Sequence, residues 1–311
     1  MAKLQEPQQT PPQVRRPSPS AAAALGTTEL PPYLRNWAPG TALNSDRAVP
    51  ARIDNHVLGG KDAFGADRPV AEQLIKVAPG FARGLQSRRR FVERALRHLV
   101  REEEVREFLI VGAGLPSLPH LHGVVQAEAP RARVVHVDSD PIVLSHLRAE
   151  LTCPPPGRLA VACGHLRDPQ QLLGVAAVRS LLAVGRPVAV VLESALEYVP
   201  DEEDPRRLLG ALLAGLPQGS WLVLTHATAD FAPARWQMIA GVYRSHGIEV
   251  FSRPMEQVAG FLEGMLVAAP GLVGVNQWRP DAQALAELGD AAVSRYGAVG
   301  RLGLPAADGV R

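Results

Sequence analysis

The side chains with the clearest chemical potential sit in a few short strings. Val111-Gly112-Ala113-Gly114-Leu115-Pro116 closes the apolar run Phe108–Val111 with two glycines. Glycines at such a strand-to-helix turn permit positive φ and let backbone N–H groups approach a ligand closely. By itself this pattern is weak, because it lacks the third glycine of the dinucleotide fingerprint and is followed by a proline. About twenty residues further on, a second apolar run ends in Val135-His136-Val137-Asp138-Ser139-Asp140-Pro141, where a carboxylate can accept both ribose hydroxyls of an adenosine. Asp138 is therefore the ribose candidate, against the alternative of a plain turn aspartate. Asp140 before Pro141 reads as a helix N-cap with proline at the first helical position.

Glu193 and Glu197 follow a fourth apolar run, and their four-residue spacing shares one face if a helical turn forms there. Glu197 facing a pocket is the candidate general base for a substrate O–H or N–H; the alternative is an exposed carboxylate near a helix start. His226 ends the fifth run, either as a substrate contact or as a histidine hydrogen-bonded within its loop. The acidic string Asp201-Glu202-Glu203-Asp204 fits a solvated helix N-terminus better than a metal site. His120 and His122 lack a third ligand nearby, so no metal is assigned. Leu58-Gly59-Gly60-Lys61-Asp62 resembles a phosphate loop only superficially: it follows no strand and lacks the Gly-x-x-x-x-Gly-Lys-Ser/Thr pattern. Arg88-Arg89-Arg90 reads as a solvated helix face.

To hold these residues, the chain offers helical spacing from Pro50 to Arg101, with Leu74, Val77, Ala78, Phe81, Phe91, Ala95 and Leu99 as its apolar stripe. Beyond Glu107, apolar runs at Phe108–Val111, Val134–Val137, Leu159–Ala162, Val188–Leu192 and Trp221–Leu224 alternate with helix-length segments near 117–128, 141–151, 168–183 and 204–216. Runs apolar on both faces, separated by helices, indicate an α/β fold with a parallel sheet covered on both sides. Right-handed crossovers put every strand's C-terminal end, where ligands of such sheets bind, on one edge. A helix near 233–246, strands near 248–252, 265–268 and 272–276, and a helix near 281–294 complete the domain.

The composition narrows the function classes. Of 311 residues, 46% are hydrophobic, which supplies a full core. With 33 basic and 31 acidic residues the net charge is +2, so neither nucleic acid nor an anionic membrane is an expected partner. Cys153 and Cys163 match no disulfide or zinc spacing, no apolar run reaches a membrane span, and no signal-type apolar core stands at the start. The expected compartment is the cytoplasm, and the oligomeric state is left open. The Pro-, Gln-, Ala- and Ser-rich stretch of residues 1–48 is expected to be a disordered or loosely attached arm.

Several strings occur together in one order: Arg52-Ile53, Leu58-Gly59-Gly60-Lys61-Asp62, Phe64, Ala66-Asp67-Arg68, Gly114-Leu115-Pro116, Val137-Asp138, Asp140-Pro141, Leu166-Arg167-Asp168-Pro169, Val199-Pro200-Asp201 and His226-Ala227-Thr228. Over about residues 50–280 the chain thereby resembles an actinobacterial family of S-adenosylmethionine-dependent methyltransferases, formerly a domain of unknown function. The resemblance implies a Rossmann-like class I methyltransferase fold: a mostly parallel seven-stranded sheet with an antiparallel last strand, helices on both faces and an N-terminal helical cap. It divides the chain into the arm at 1–48, the cap at 49–104, the Rossmann-like domain at 105–295 and a flexible tail at 296–311.

The resemblance also implies S-adenosylmethionine as cofactor and a small or medium-sized metabolite as substrate. Gly112 and Gly114 are then expected at the methionine end, Asp138 at the ribose, His165 and Leu166 near adenine, and Arg52 in the cap over the cofactor. Four departures from the family pattern stand at expected pocket positions. Ile110 replaces an aspartate two positions before the first glycine, and His165 replaces the aspartate leading Leu166-Arg167-Asp168-Pro169. Asp54-Asn55-His56-Val57 replaces a tyrosine- and aspartate-rich stretch, and Glu197 replaces a histidine. Either the pocket has been rebuilt around such residues, or the chain is a catalytically degenerate methyltransferase-fold protein that binds a ligand or partner.

Overall fold

The computed structural model describes residues 45–280 and 289–303. Three helices come first: α1 (Pro50–Val57), α2 (Asp67–Val77) and α3 (Phe81–Arg101). They are followed by β1 (Glu107–Val111), α4 (Leu121–Glu128), β2 (Arg133–Asp138), α5 (Pro141–Glu150), β3 (Arg158–Cys163), α6 (Pro169–Gly174), α7 (Ala176–Leu182) and β4 (Val188–Glu193). The remainder comprises α8 (Pro205–Ala214), β5 (Trp221–Ala227), α9 (Pro233–Ser245), α10 (Met255–Gly260), β6 (Met265–Val267), β7 (Val273–Gly274), α11 (Asp290–Val293) and β8 (Arg295–Leu302).

The sheet runs in the order β3-β2-β1-β4-β5-β8-β6, and the two-residue β7 pairs with β8 beside β6. Strands β1 to β5 pair in parallel, whereas β8 is antiparallel to β5, with Trp221 opposite Arg301 and Ala227 opposite Arg295. This is the sheet of a Rossmann-like class I methyltransferase. Successive residues of β1 serve opposite layers, as the period of two requires. Phe108 and Ile110 pack with Phe91, Leu96 and Leu99 of α3, while Leu109 and Val111 pack with Leu172, Leu181 and Leu212 of α6, α7 and α8. A third cluster joins Ile53, Leu74 and Phe81 to Trp236, Ile239 and Tyr243 of α9, fixing the cap to the far end of the sheet.

Helix α3 belongs to both parts, since its first half packs in the cap cluster and its second half covers the sheet. Asp140 caps α5 as expected, accepting from Ile142 N at 2.8 Å. Asp201–Glu203 forms a 3₁₀ turn ahead of Asp204, which caps α8 by accepting from Arg207 N at 3.0 Å. The helical segment 168–183 breaks in two at the extended Val175.

Two expectations are corrected. The tail assigned from residue 296 is instead β8, buried through Gly300 between β5 and β6. Gly297, Ala298 and Gly300 lower its strand propensity, but Gly297 admits the Phe91 ring: a β-carbon there would stand 2.9 Å from Phe91 Cε2. The segment 248–252 is not a strand. Single bonds, Phe251 N to Glu197 O at 2.7 Å and Arg253 N to Ala227 O at 3.1 Å, tie it to the sheet without a ladder. The expected arm at 1–48 lies up to residue 44 outside the described residues, as do 281–288 of the last expected helix and 304–311 of the tail. Among the described residues no helix is long and apolar enough to cross a membrane.

Candidate active site

A cavity of about 1040 Å³ opens at the C-terminal ends of the parallel strands. Its floor is Val111–Leu115 after β1, Asp138–Asp140 after β2, Gly164–Leu166 after β3 and Glu193–Ala195 after β4; α1, the loop Leu58–Gly60 and one face of α3 form the opposite wall. Five of the residues singled out from the sequence, Gly112, Gly114, Asp138, His165 and Leu166, line it together. Gly112 and Gly114 have φ of +69° and +66°. A β-carbon on Gly112 would lie 3.4 Å from Ala195 Cβ and narrow the floor.

Asp138 is anchored at both oxygens, Oδ2 accepting from Gly114 N and Oδ1 from Asp140 N, each at 2.9 Å. Burial raises its carboxyl above the ordinary value, against the pull of the Asp140 and Gly114 amides. The bond to Gly114 holds the glycine turn and the end of β2 as one rigid edge. His165 accepts from Arg167 N at Nδ1, 2.9 Å away. Burial, aided by Arg167, lowers this imidazole to about 4, so near neutrality it is uncharged. A backbone N–H can only donate, so the ring proton sits on Nε2. His165 therefore cannot accept an adenine amine through that nitrogen; it offers a donor instead.

Three other candidates fall outside the cavity lining. Arg52 is buried within the cap, donating to Asp67 Oδ2 at 2.9 Å and to Arg47 O, with its guanidinium 5.0 Å from the Phe64 ring centre. Asp67 also accepts from Val49 N and Phe64 N at 2.9 and 2.8 Å, so this pair folds the cap rather than touching the cavity. Glu197 is fully buried. Its Oε2 accepts from Arg295 Nη1 at 2.5 Å and Ala227 N at 3.0 Å, a core ion pair without access to a substrate. His226 is likewise fully buried, donating from Nδ1 to Ala227 O at 2.8 Å and accepting from Arg253 at Nε2, also 2.8 Å. Ile110, too, lies in the core under α3, 2% exposed, so its replacement of a carboxylate leaves the cavity lining untouched.

The sequence reading missed the centre that crosses the cavity's second end. Arg88 and Arg89 are not a solvated face, being only 11% and 18% exposed. Arg88 donates to Asp54 Oδ2 at 3.0 Å, Glu193 Oε1 at 2.9 Å and Ser194 Oγ at 3.4 Å; Arg89 donates to Glu193 Oε2 at 3.2 Å. Burial alone would raise Glu193, but Arg88 and Arg89 outweigh it and hold this carboxyl below its usual range. At Asp54 burial prevails over Arg88 and the carboxyl is raised. A signal existed: Arg88 follows Leu85 by three residues and precedes Val92 by four, on the buried stripe of α3. Nearby, His120 stacks on His122 with centroids 5.6 Å apart, and His122 meets His136 edge-on at 5.8 Å. The one group whose ligand atoms converge within 4.8 Å, among the described residues, is the more exposed Asp62, His146 and Glu150.

A parallel sheet with a glycine turn after β1, a carboxylate after β2 and a helical cap across the strand ends defines a class I methyltransferase. The chain belongs to the S-adenosyl methyltransferase family, whose model matches residues 36–303. Its cofactor is accordingly S-adenosylmethionine. A DUF574 family protein from Streptomyces avermitilis is similar at 34% identity with a TM-score of 0.81, over 84% of this chain and 100% of that one. A candidate methyltransferase from Thermobifida fusca is similar at 32% identity with a TM-score of 0.76, over 86% and 98% of the two chains. Comparison with curated proteins finds no match.

Proposed function

We propose that the protein transfers the methyl group of S-adenosylmethionine to a small or medium-sized metabolite within this cavity. The observation that carries the reading is the joint presence of Gly112, Gly114, Asp138, His165 and Leu166 along one side of a cavity walled by the cap. When bound, the cofactor supplies an electrophilic methyl group, so the protein's part is alignment of the nucleophile and exclusion of water. In this reading the Gly112–Gly114 turn passes the methionine end and Asp138 accepts the ribose hydroxyls. Leu166 packs against adenine, and His165 donates from Nε2 to an adenine ring nitrogen. The walls at α1 and α3 favour an acceptor of metabolite size over a macromolecule.

Titration calorimetry tests this reading. S-adenosylmethionine and S-adenosylhomocysteine are expected to bind saturably, and Asp138→Ala to weaken both by about tenfold or more, the scale of a lost charged hydrogen-bond acceptor. No binding of either at millimolar concentration would overturn it.

A further inference from the structure

Four carboxylates line the cavity away from the adenosine end, and only one is poised for proton transfer. Glu193 has both oxygens engaged by Arg88 and Arg89. Glu93 is engaged by Arg97 at 3.4 Å, and Glu249 is exposed. Asp54 differs from all three. Arg88 holds its Oδ2, whereas Oδ1 makes no hydrogen bond among the described residues, and the side chain is 17% exposed where it lines the cavity. It stands on α1, across from the glycine turn, and its fixed neighbour Arg88 also grips Glu193 and Ser194 at the end of β4.

Accepting the methyl-transfer reading above, on which this rests, we infer that Asp54 takes the proton of the acceptor, and that the acceptor is a hydroxyl or amine compound with no carboxylate at the reacting end. The acceptor's O–H or N–H proton moves to Asp54 Oδ1 as its oxygen or nitrogen bonds the methyl carbon. The S–CH₃ bond breaks with its electron pair remaining on sulfur as a thioether, and Asp54 later releases the proton to water. A desolvated carboxylate is a stronger base than a solvated one, and burial raises Asp54. A carboxylate at the reacting end is disfavoured because it would face Asp54, whose counter-charge Arg88 is shared with Glu193.

The test needs no known acceptor. Sinefungin carries an amine on carbon in place of the methylsulfonium, so its ammonium enters the space of the transferred methyl group. The wild type is expected to bind sinefungin about tenfold tighter than S-adenosylhomocysteine, the effect of one carboxylate a few ångströms away in a partly desolvated site. Asp54→Asn is expected to erase that preference while its S-adenosylhomocysteine affinity stays within about threefold, and Asp54→Glu to retain part of it. A wild type without the preference overturns the assignment. So does a preference that survives Asp54→Asn, or one abolished by Glu193→Gln and not by Asp54→Asn. Failure of all three ligands to bind the wild type instead removes the cofactor reading, which keeps the two failures distinct.

Discussion

Glu197 and Arg295 form a buried pair, their side chains 0% and 7% exposed. Removing one charge strands the other in the core, so Glu197→Gln is expected to lower stability by about 3–5 kcal/mol. Its S-adenosylhomocysteine affinity should remain near that of the wild type, because the side chain does not reach the cavity. Urea unfolding and calorimetry on one preparation check both halves. A stable variant with lost ligand binding would return Glu197 to the site. The sequence could not distinguish Glu193 from Glu197, since a four-residue spacing shares a face only on a continuous helix. After β4, Ser194 adopts φ +60° and a short 3₁₀ turn spans Leu196–Tyr198, so Glu193 turns to the cavity and Glu197 to the core.

At the scale of elements, the cap depends on Asp67 gathering Arg52, Val49 N and Phe64 N in one buried node. Arg52→Ala is expected to cost about 3–5 kcal/mol and to open the α1–α2 corner to protease before the sheet unfolds. Proteolysis followed by mass spectrometry would show the first cuts near residues 45–66; first cuts within the sheet would contradict it. Sheet and helices were legible in the text because strands β1 to β5 are apolar on both faces and α5, α6 and α8 carry local caps in Asp140, Asp168 and Asp204. The last strand was not. Gly297, Ala298 and Gly300 weaken the strand signal of Arg295–Leu302, whose strand state is imposed by the groove between β5 and β6. Arg88 was hidden by its neighbours: a run of three arginines suggests solvent, and only its register with Leu85 and Val92 places it inside.

At the scale of the whole molecule, buried neutral histidines govern the response to acid. Burial lowers both His136 and His226 to about 3. The unfolded chain, with histidine near its ordinary value, binds protons first, so their contribution is complete above about pH 6.5 and is lost progressively as pH falls toward 3. Each contributes a slope of about 1.4 kcal/mol per pH unit within that window. Asp54 and Asp138, raised by burial, oppose the trend once pH reaches their own range. Between pH 6 and 5, stability is expected to decline, and His136→Leu to remove one histidine's share of the slope. Urea midpoints across that interval measure it, and an unchanged slope in the variant would contradict the account.

A crystal structure of the protein soaked with S-adenosylhomocysteine tests most directly which residues meet the cofactor. Density is expected in the cavity with the ribose hydroxyls on Asp138, a ring nitrogen of adenine facing His165 Nε2 and the thioether sulfur directed toward Asp54 and Arg88. Ligand bound away from Asp138, or a cavity that stays empty at saturating concentration, would contradict it.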